Sequence, residues 1–228
     1  MVSVKPILFS EKMVRALLAG RKTQTRRVMK PAFRGSEIVN LKEGGASRNT
    51  CSGRFNDPMS WGYPWAEDGA CDMAIGSWPE LCPYYKALAW VRETWSGWED
   101  QAGIRVRDRE PGPDLVWHWA DGDPSYGLWE KPRPSIHMPR WASRLTLRVT
   151  DIRAERVQDI SDADVLAEGI FPYMHKRGDA RTLHGDFARL WDSINAERGY
   201  GWDVNPWVWA ISFEVIRRNV DDVVREAA

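Results

Sequence analysis

Gly20-Arg21-Lys22-Thr23-Gln24-Thr25-Arg26-Arg27 is the stretch on which the reading of this chain turns. It gathers one amine, two hydroxyls and three guanidiniums where a helix hands over to an extended segment. Upstream, Val4 to Phe9 reads as a strand and Ser10 as an N-cap, and Val14, Leu17 and Leu18 fall at helical spacing through residues 11–19. Gly20 supplies the residue just past the helix end, where a left-handed conformation is usual. Downstream, Thr23 to Met29 is β-prone through its threonines and Val28, and Pro31 closes it. Alternate residues of a strand share a face, which sets Arg21, Thr23, Thr25 and Arg27 on one side and Lys22, Gln24 and Arg26 on the other. Near the turn that alternation can break, so that Lys22 and Thr25 can converge. Such a cluster suits either anion binding or proton-transfer and acyl chemistry.

Further along, the chain reads as a mixed α/β module interrupted by loops. From about Ala32 to Tyr85, Gly, Ser, Asn, Pro and scattered Trp follow no sustained period. This segment is expected to be an insertion that folds over the core or covers a site. Ala87 to Thr94 reads as a central strand and Leu115 to Trp119 as another. Arg144 to Val149 alternates, with Leu145, Leu147 and Val149 on one face. The phase slips at Ile152 and Ala154, which predicts a bulge or bend. Ser161 caps a short helix, Asp162 to Ala167, stopped by Gly169. A second helix, about Leu183 to Ala196, places Leu183, Phe187, Leu190, Trp191 and Ile194 on one stripe. The last strand, Trp207 to Ile216, alternates through Trp209, Ile211, Phe213 and Val215. The charged tail after Arg217, residues 217–228, is expected to fray.

The chain has 228 residues and 43% hydrophobic content, enough to bury a real core. Its formal net charge is zero, yet residues 1–60 hold twelve Lys or Arg against four acids, an excess that the remainder cancels. A basic N-terminal face on a neutral protein fits a phosphate-bearing partner, and it equally fits a solvated surface with uneven charge. No signal peptide or membrane span is visible. Three cysteines, Cys51, Cys71 and Cys82, show no C-x-x-C spacing, which points to a reducing, cytoplasmic setting rather than a disulfide framework. Their spacing to His118 or His137 matches no usual zinc pattern, so no metal is expected. Fourteen tryptophans are the compositional anomaly. Most are expected to be structural, with one or two lining a site.

The order of strand, helix, Gly-Arg-Lys-Thr-x-Thr-x-Arg, strand, long strand, Ala167-Glu168-Gly169 helix and final strand resembles the ASCH domain. VRETW (Val91–Trp95), SIHMPRWASRLTL (Ser135–Leu147) and NPWVW (Asn205–Trp209) add a resemblance to the longer ASCH proteins of phages and prophages. The resemblance implies an α+β fold, a small PUA-like β-barrel with flanking helices. Residues 1–216 would form one domain carrying the loop-rich insertion at about 32–85. Relatives of this kind include small bacterial N4-acetylcytidine amidohydrolases, which implies Lys22 as proton acceptor, Thr25 as nucleophile and Glu168 as proton donor. Arg21, Arg26 and Arg27 are then electrostatic tuners or phosphate anchors. Glu93, beside Arg92 and Trp95, either forms a pocket wall or belongs to a buried ion pair. No cofactor is expected, and the partner is a modified nucleoside or a nucleic acid, RNA before DNA. One departure stands out: the family's Gly-Asp turn before the central strand is Lys86-Ala87 here.

Elementary chemistry sets its own conditions. Hydrolysis of an N-acyl group needs a nucleophile, an acceptor for its proton, an acid for the leaving nitrogen and donors for the oxyanion. A threonine hydroxyl is a poor nucleophile until deprotonated, and Lys22 serves as base only if its pKa falls from about 10.4 towards 7–8. That fall corresponds to roughly 4 kcal/mol of disfavoured charge, which burial beside Arg21, Arg26 and Arg27 can supply. Glu168 needs an apolar setting that favours its protonated form, with which Ile170-Phe171-Pro172 is compatible. Three activities fit these residues: hydrolysis of an acylated nucleoside or base, binding of RNA or DNA through the basic face and an aromatic pocket, and metal-independent RNA cleavage.

Overall fold

The computed structural model describes residues 3–29, 82–98, 115–170 and 182–227. Most of the expected insertion, with Cys51 and Cys71, lies outside the described residues. Seven strands are described: β1 (Ser3–Leu8), β2 (Gln24–Val28), β3 (Ala87–Arg92), β4 (Trp95–Gly97), β5 (Val116–His118), β6 (Thr146–Arg156) and β7 (Trp207–Ile216). The helices are α1 (Glu11–Leu18), α2 (Asp162–Ala167), α3 (Leu183–Asn195) and α4 (Val220–Glu226), with several single 3-10 turns between them. No helix among the described residues is long and apolar enough to cross a membrane.

Five strands form one sheet in the order β1-β3-β6-β7-β2. β1 runs parallel to β3, and the other three pairings are antiparallel. The fold is therefore mixed α and β, but the sheet is open, with β1 and β2 as its edges, where a small closed barrel was expected. The two edges nevertheless meet at one point. Arg27 Nη2 on β2 donates to the Leu8 carbonyl of β1 at 2.7 Å, and its guanidinium lies over the Phe9 ring at 5.2 Å.

The phase slip in the long strand is a bulge. Val149 pairs with Phe213 and Asp151 with Ser212, so Thr150 is the extra residue. It moves the buried set from Leu145 and Leu147 to Ile152, all in the core that packs with Val14 and Leu17 of α1. On β7, Trp209, Ile211 and Phe213 face that same core. Val208, just before Trp209, joins Val165 of α2 and Phe187 and Trp191 of α3 on the other side. The strand is thus covered on both faces, which its alternation alone does not reveal. Ile194, expected on the buried stripe of α3, is 41% exposed, because the helix turns only Phe187, Trp191 and Asn195 inward.

Two further departures concern ends. β3 ends at Arg92, short of the Thr94 read from the sequence, and Trp95–Gly97 form a separate strand paired with Val116–His118. The tail is not frayed. Asn219 caps α4 through the Asp221 N–H, and Val220 and Val223 are buried against Leu88 and Trp90. Three carbonyls, of Arg140, Trp141 and Ser143, accept from the Asn219 amide and anchor the helix start. Charge dominates the tail's composition, while its apolar stripe occupies one narrow face.

Lys86 holds φ +49 where the resemblance leads one to expect glycine. The residue before β3 is therefore left-handed with a side chain present, its ammonium 4.9 Å from the centre of the Tyr85 ring.

Candidate active site

Backbone geometry brings the two halves of the site together. Arg21 and Lys22 both donate their N–H to the Ala16 carbonyl near the end of α1, so the chain folds tightly over the helix end after Gly20 at φ +68. Thr23 then donates to the Ala167 carbonyl at the end of α2 and accepts from Phe213 of β7. The segment carrying Lys22 is thereby sewn to the helix carrying Glu168. Gly169, at φ +90, completes the approach: a Cβ there would sit 3.1 Å from Ala16 Cβ and 3.3 Å from Lys22 Cβ. Glycine meets the left-handed backbone without strain, and any side chain there would press on both neighbours.

Lys22 Nζ donates to Glu168 Oε2 at 2.6 Å and to the Glu168 carbonyl at 2.9 Å. The lysine is wholly buried and Glu168 is 6% exposed. Burial is the main cause that pushes the Lys22 amine below its usual range. The Glu168 carboxylate opposes it, and the charges of Arg27 and Arg26 reinforce it. Desolvation and like charge are the two causes the chemistry asked for, although Arg21 is not among the contributors. The surroundings of Glu168 differ from expectation. They are cationic rather than apolar, with Lys22 on one carboxylate oxygen and Arg26 Nη1 at 3.3 Å from the other. Phe171 and Pro172 lie outside the described residues.

The strand alternation orders the remaining residues. Gln24 and Arg26 face α2 and α3, where Arg26 meets Glu155 of β6, Asp164 of α2 and the Phe187 ring. Thr25 pairs with Ile211 and so turns to the opposite face, the one that Arg27 and Phe9 share. It is buried. Phe9 links the two sides: Lys22 Nζ is 5.6 Å and the Arg27 guanidinium 5.2 Å from its centre. Arg27 Nε is buried without a hydrogen-bond partner among the described residues. Arg21 is partly buried at the helix end.

Glu93 and Trp95 belong to a different cluster. Glu93 binds Arg144 through both carboxylate oxygens, each at 3.0 Å, and Arg144 continues to Asp121 at 2.6 Å and 2.9 Å. Burial pushes the neighbouring His118 imidazole below its usual range against the pull of Glu93. Trp95 packs edge-on against Trp141 and beneath the Arg133 guanidinium. Of the two readings of Glu93, the buried ion pair is the one the contacts describe. Cys82 is buried in the main core, which pushes its thiol up to about 11.

Gln24, Glu155 and Asp164 were not anticipated. Asp164 also binds Arg153 and sits where the Ser161 cap meets α2. Burial works against its charge, but Ser161, Arg26 and Arg153 outweigh that and hold the carboxyl below its usual range. Two signals pointed here: the shared face of Lys22, Gln24 and Arg26, and the bulge that redirects Arg153 and Glu155 toward α2. Comparison with protein-family models, with curated proteins and with solved structures finds no match to this chain.

Proposed function

We propose that this chain is an amidohydrolase acting on N4-acylated cytidine or a related modified nucleoside or base, built on an ASCH-like, PUA-related fold. One observation carries the reading. Lys22 and Glu168, singled out by their motifs, lie 146 positions apart in sequence and are buried together at 2.6 Å. The charged surface that a nucleic-acid reading calls for is reduced at the same place, because Arg26 is committed to carboxylates of the chain itself.

Across the Lys22–Glu168 contact, transfer of one proton turns ammonium and carboxylate into amine and carboxylic acid. That single shift supplies both a base and an acid. Lys22 then takes the Thr25 hydroxyl proton as Oγ1 attacks the acyl carbon, forming the ester to Thr25. The C–N bond breaks and Glu168 protonates the departing N4. Water attacks the ester and gives a proton to the Glu168 carboxylate, while the Lys22 ammonium returns its proton to the departing Thr25 Oγ1, which releases the acid and restores the amine and carboxylic acid. Arg27, whose Nε has no hydrogen-bond partner among the described residues and whose guanidinium lies over the Phe9 ring, holds the oxyanion in this scheme.

The test is incubation of the purified protein with N4-acetylcytidine and a series of other N4-acylated cytidines, following cytidine release, beside a labelled RNA. Release from at least one acylated cytidine with the RNA intact is expected. No release across the series, or cleavage of the RNA, contradicts the proposal.

A further inference from the structure

The three guanidinium nitrogens of Arg26 are all occupied. Nε and Nη2 reach Glu155 Oε1 at 2.8 Å and 2.5 Å, and Nη2 lies 3.2 Å from Asp164 Oδ2. Nη1 donates to Gln24 Oε1 at 2.7 Å and to Glu168 Oε1 at 3.3 Å. With a side-chain exposure of 1%, the group has no free edge to offer a phosphate or a base. It does divide the Glu168 carboxylate. Arg26 takes Oε1 and Lys22 takes Oε2. A glutamate side chain has three rotatable torsions, and tethering both oxygens fixes them.

We propose that Arg26, held by Glu155, is a positioning residue that aims Glu168 Oε2 at Lys22, and that it is not a substrate ligand. The inference rests on the hydrolase reading for its effect on turnover, though not for its effect on Lys22. The charged groups around the pair are Arg26 and Arg27 of β2, Glu155 and Arg153 of β6, and Asp164 of α2. Removing the Arg26 charge withdraws a cation from beside Lys22 and leaves Glu168 to Lys22 alone. Both changes favour the ammonium.

Two measurements on Arg26→Gln test this in the full chain. Titration of Lys22, followed by NMR of protein carrying 13C at the lysine Cε, is expected to move to higher pH. Turnover of an N4-acylated cytidine is expected to lose about 100-fold in kcat with KM changed less than twofold, as for a catalytic group displaced by an ångström. Glu155→Gln, which keeps the acceptor but not the charge and leaves Arg26 beside Lys22, is expected to lower kcat in the same sense and more weakly. An unmoved Lys22 titration in folded Arg26→Gln overturns the proposal. So does a raised KM with unchanged kcat, which marks a substrate ligand. If Arg26→Gln does not fold, Glu155→Gln decides: a lower kcat supports positioning and an unchanged kcat refutes it. If the parent turns over no acylated cytidine, the hydrolase reading fails by itself, and the Lys22 titration still decides whether Arg26 governs the pair.

Discussion

Lys22 Nζ caps the Glu168 carbonyl at 2.9 Å while binding its carboxylate at 2.6 Å, so one side chain closes the end of α2 and pairs with its last acid. Structure and chemistry are coupled at this point. Removing one member of a buried pair leaves the other uncompensated, which typically costs about 3–5 kcal/mol, whereas replacing both by apolar residues costs far less. Lys22→Met is expected to lower stability by about 3 kcal/mol, with Lys22→Met/Glu168→Leu recovering most of that. Urea unfolding of the two variants and the parent checks it. A double variant less stable than the single one contradicts a mutually compensated pair.

Stability should also carry the signature of Lys22 in its pH dependence. The folded-state pKa of this group is depressed below 10.5. Between the depressed value and 10.5 the unfolded chain therefore binds a proton that the folded chain lacks, and stability rises with pH through that window. Below the window the penalty is complete. Cys82, pushed up to about 11 from 9.0, works in the opposite sense above pH 9, since the unfolded thiol ionises first. Subtracting the Lys22→Met profile from that of the parent isolates the lysine. The difference is expected to favour the parent increasingly as pH rises. A flat difference argues against a depressed amine.

Gly169 is where backbone and site meet. Gly169→Ala forces a Cβ into 3.1–3.3 Å contact with Ala16 and Lys22 at a φ of +90. The expected cost is about 1–2 kcal/mol of backbone strain, with a loss of about 10–100-fold in turnover as Glu168 shifts. Thermal unfolding and steady-state kinetics separate the two effects. Unaltered turnover means that the approach of α2 to Lys22 does not matter to the chemistry.

Much of this arrangement was legible in residues. The helix end at Gly20, the bulge near Val149 and the Ser161 cap all follow from local rules that tertiary packing left intact. Motif resemblance set Lys22 and Glu168 in one site as acceptor and donor, but their direct contact was not read, since no local rule joins residues 146 apart. What stayed hidden was long-range in origin. The open sheet depends on which edges fail to pair, and the coverage of β7 on both faces depends on helices from distant segments. Arg26 reads as a free cation in sequence because its acceptors, Glu155 and Asp164, arrive from another strand and another helix.

The docked tail makes a separate prediction. Val220 is wholly buried and packs with Leu88 and Trp90. Val220→Ala removes two buried methyl groups and is expected to cost about 1.5–3 kcal/mol. Val224→Ala, at a partly buried position beside it, should cost less. Equal and negligible effects in chemical denaturation return the tail to a frayed state.

Release of cytidine from the most rapidly cleaved N4-acylated cytidine, measured for the parent, Lys22→Met, Glu168→Gln and Thr25→Val under identical conditions, tests the central claim. Turnover by the parent and losses of about 10²–10⁴-fold in each folded variant are predicted, the range expected for a positioned acid, base or nucleophile. Full activity in folded Lys22→Met or Glu168→Gln would contradict it and leave the buried pair as a structural clasp between β2 and α2.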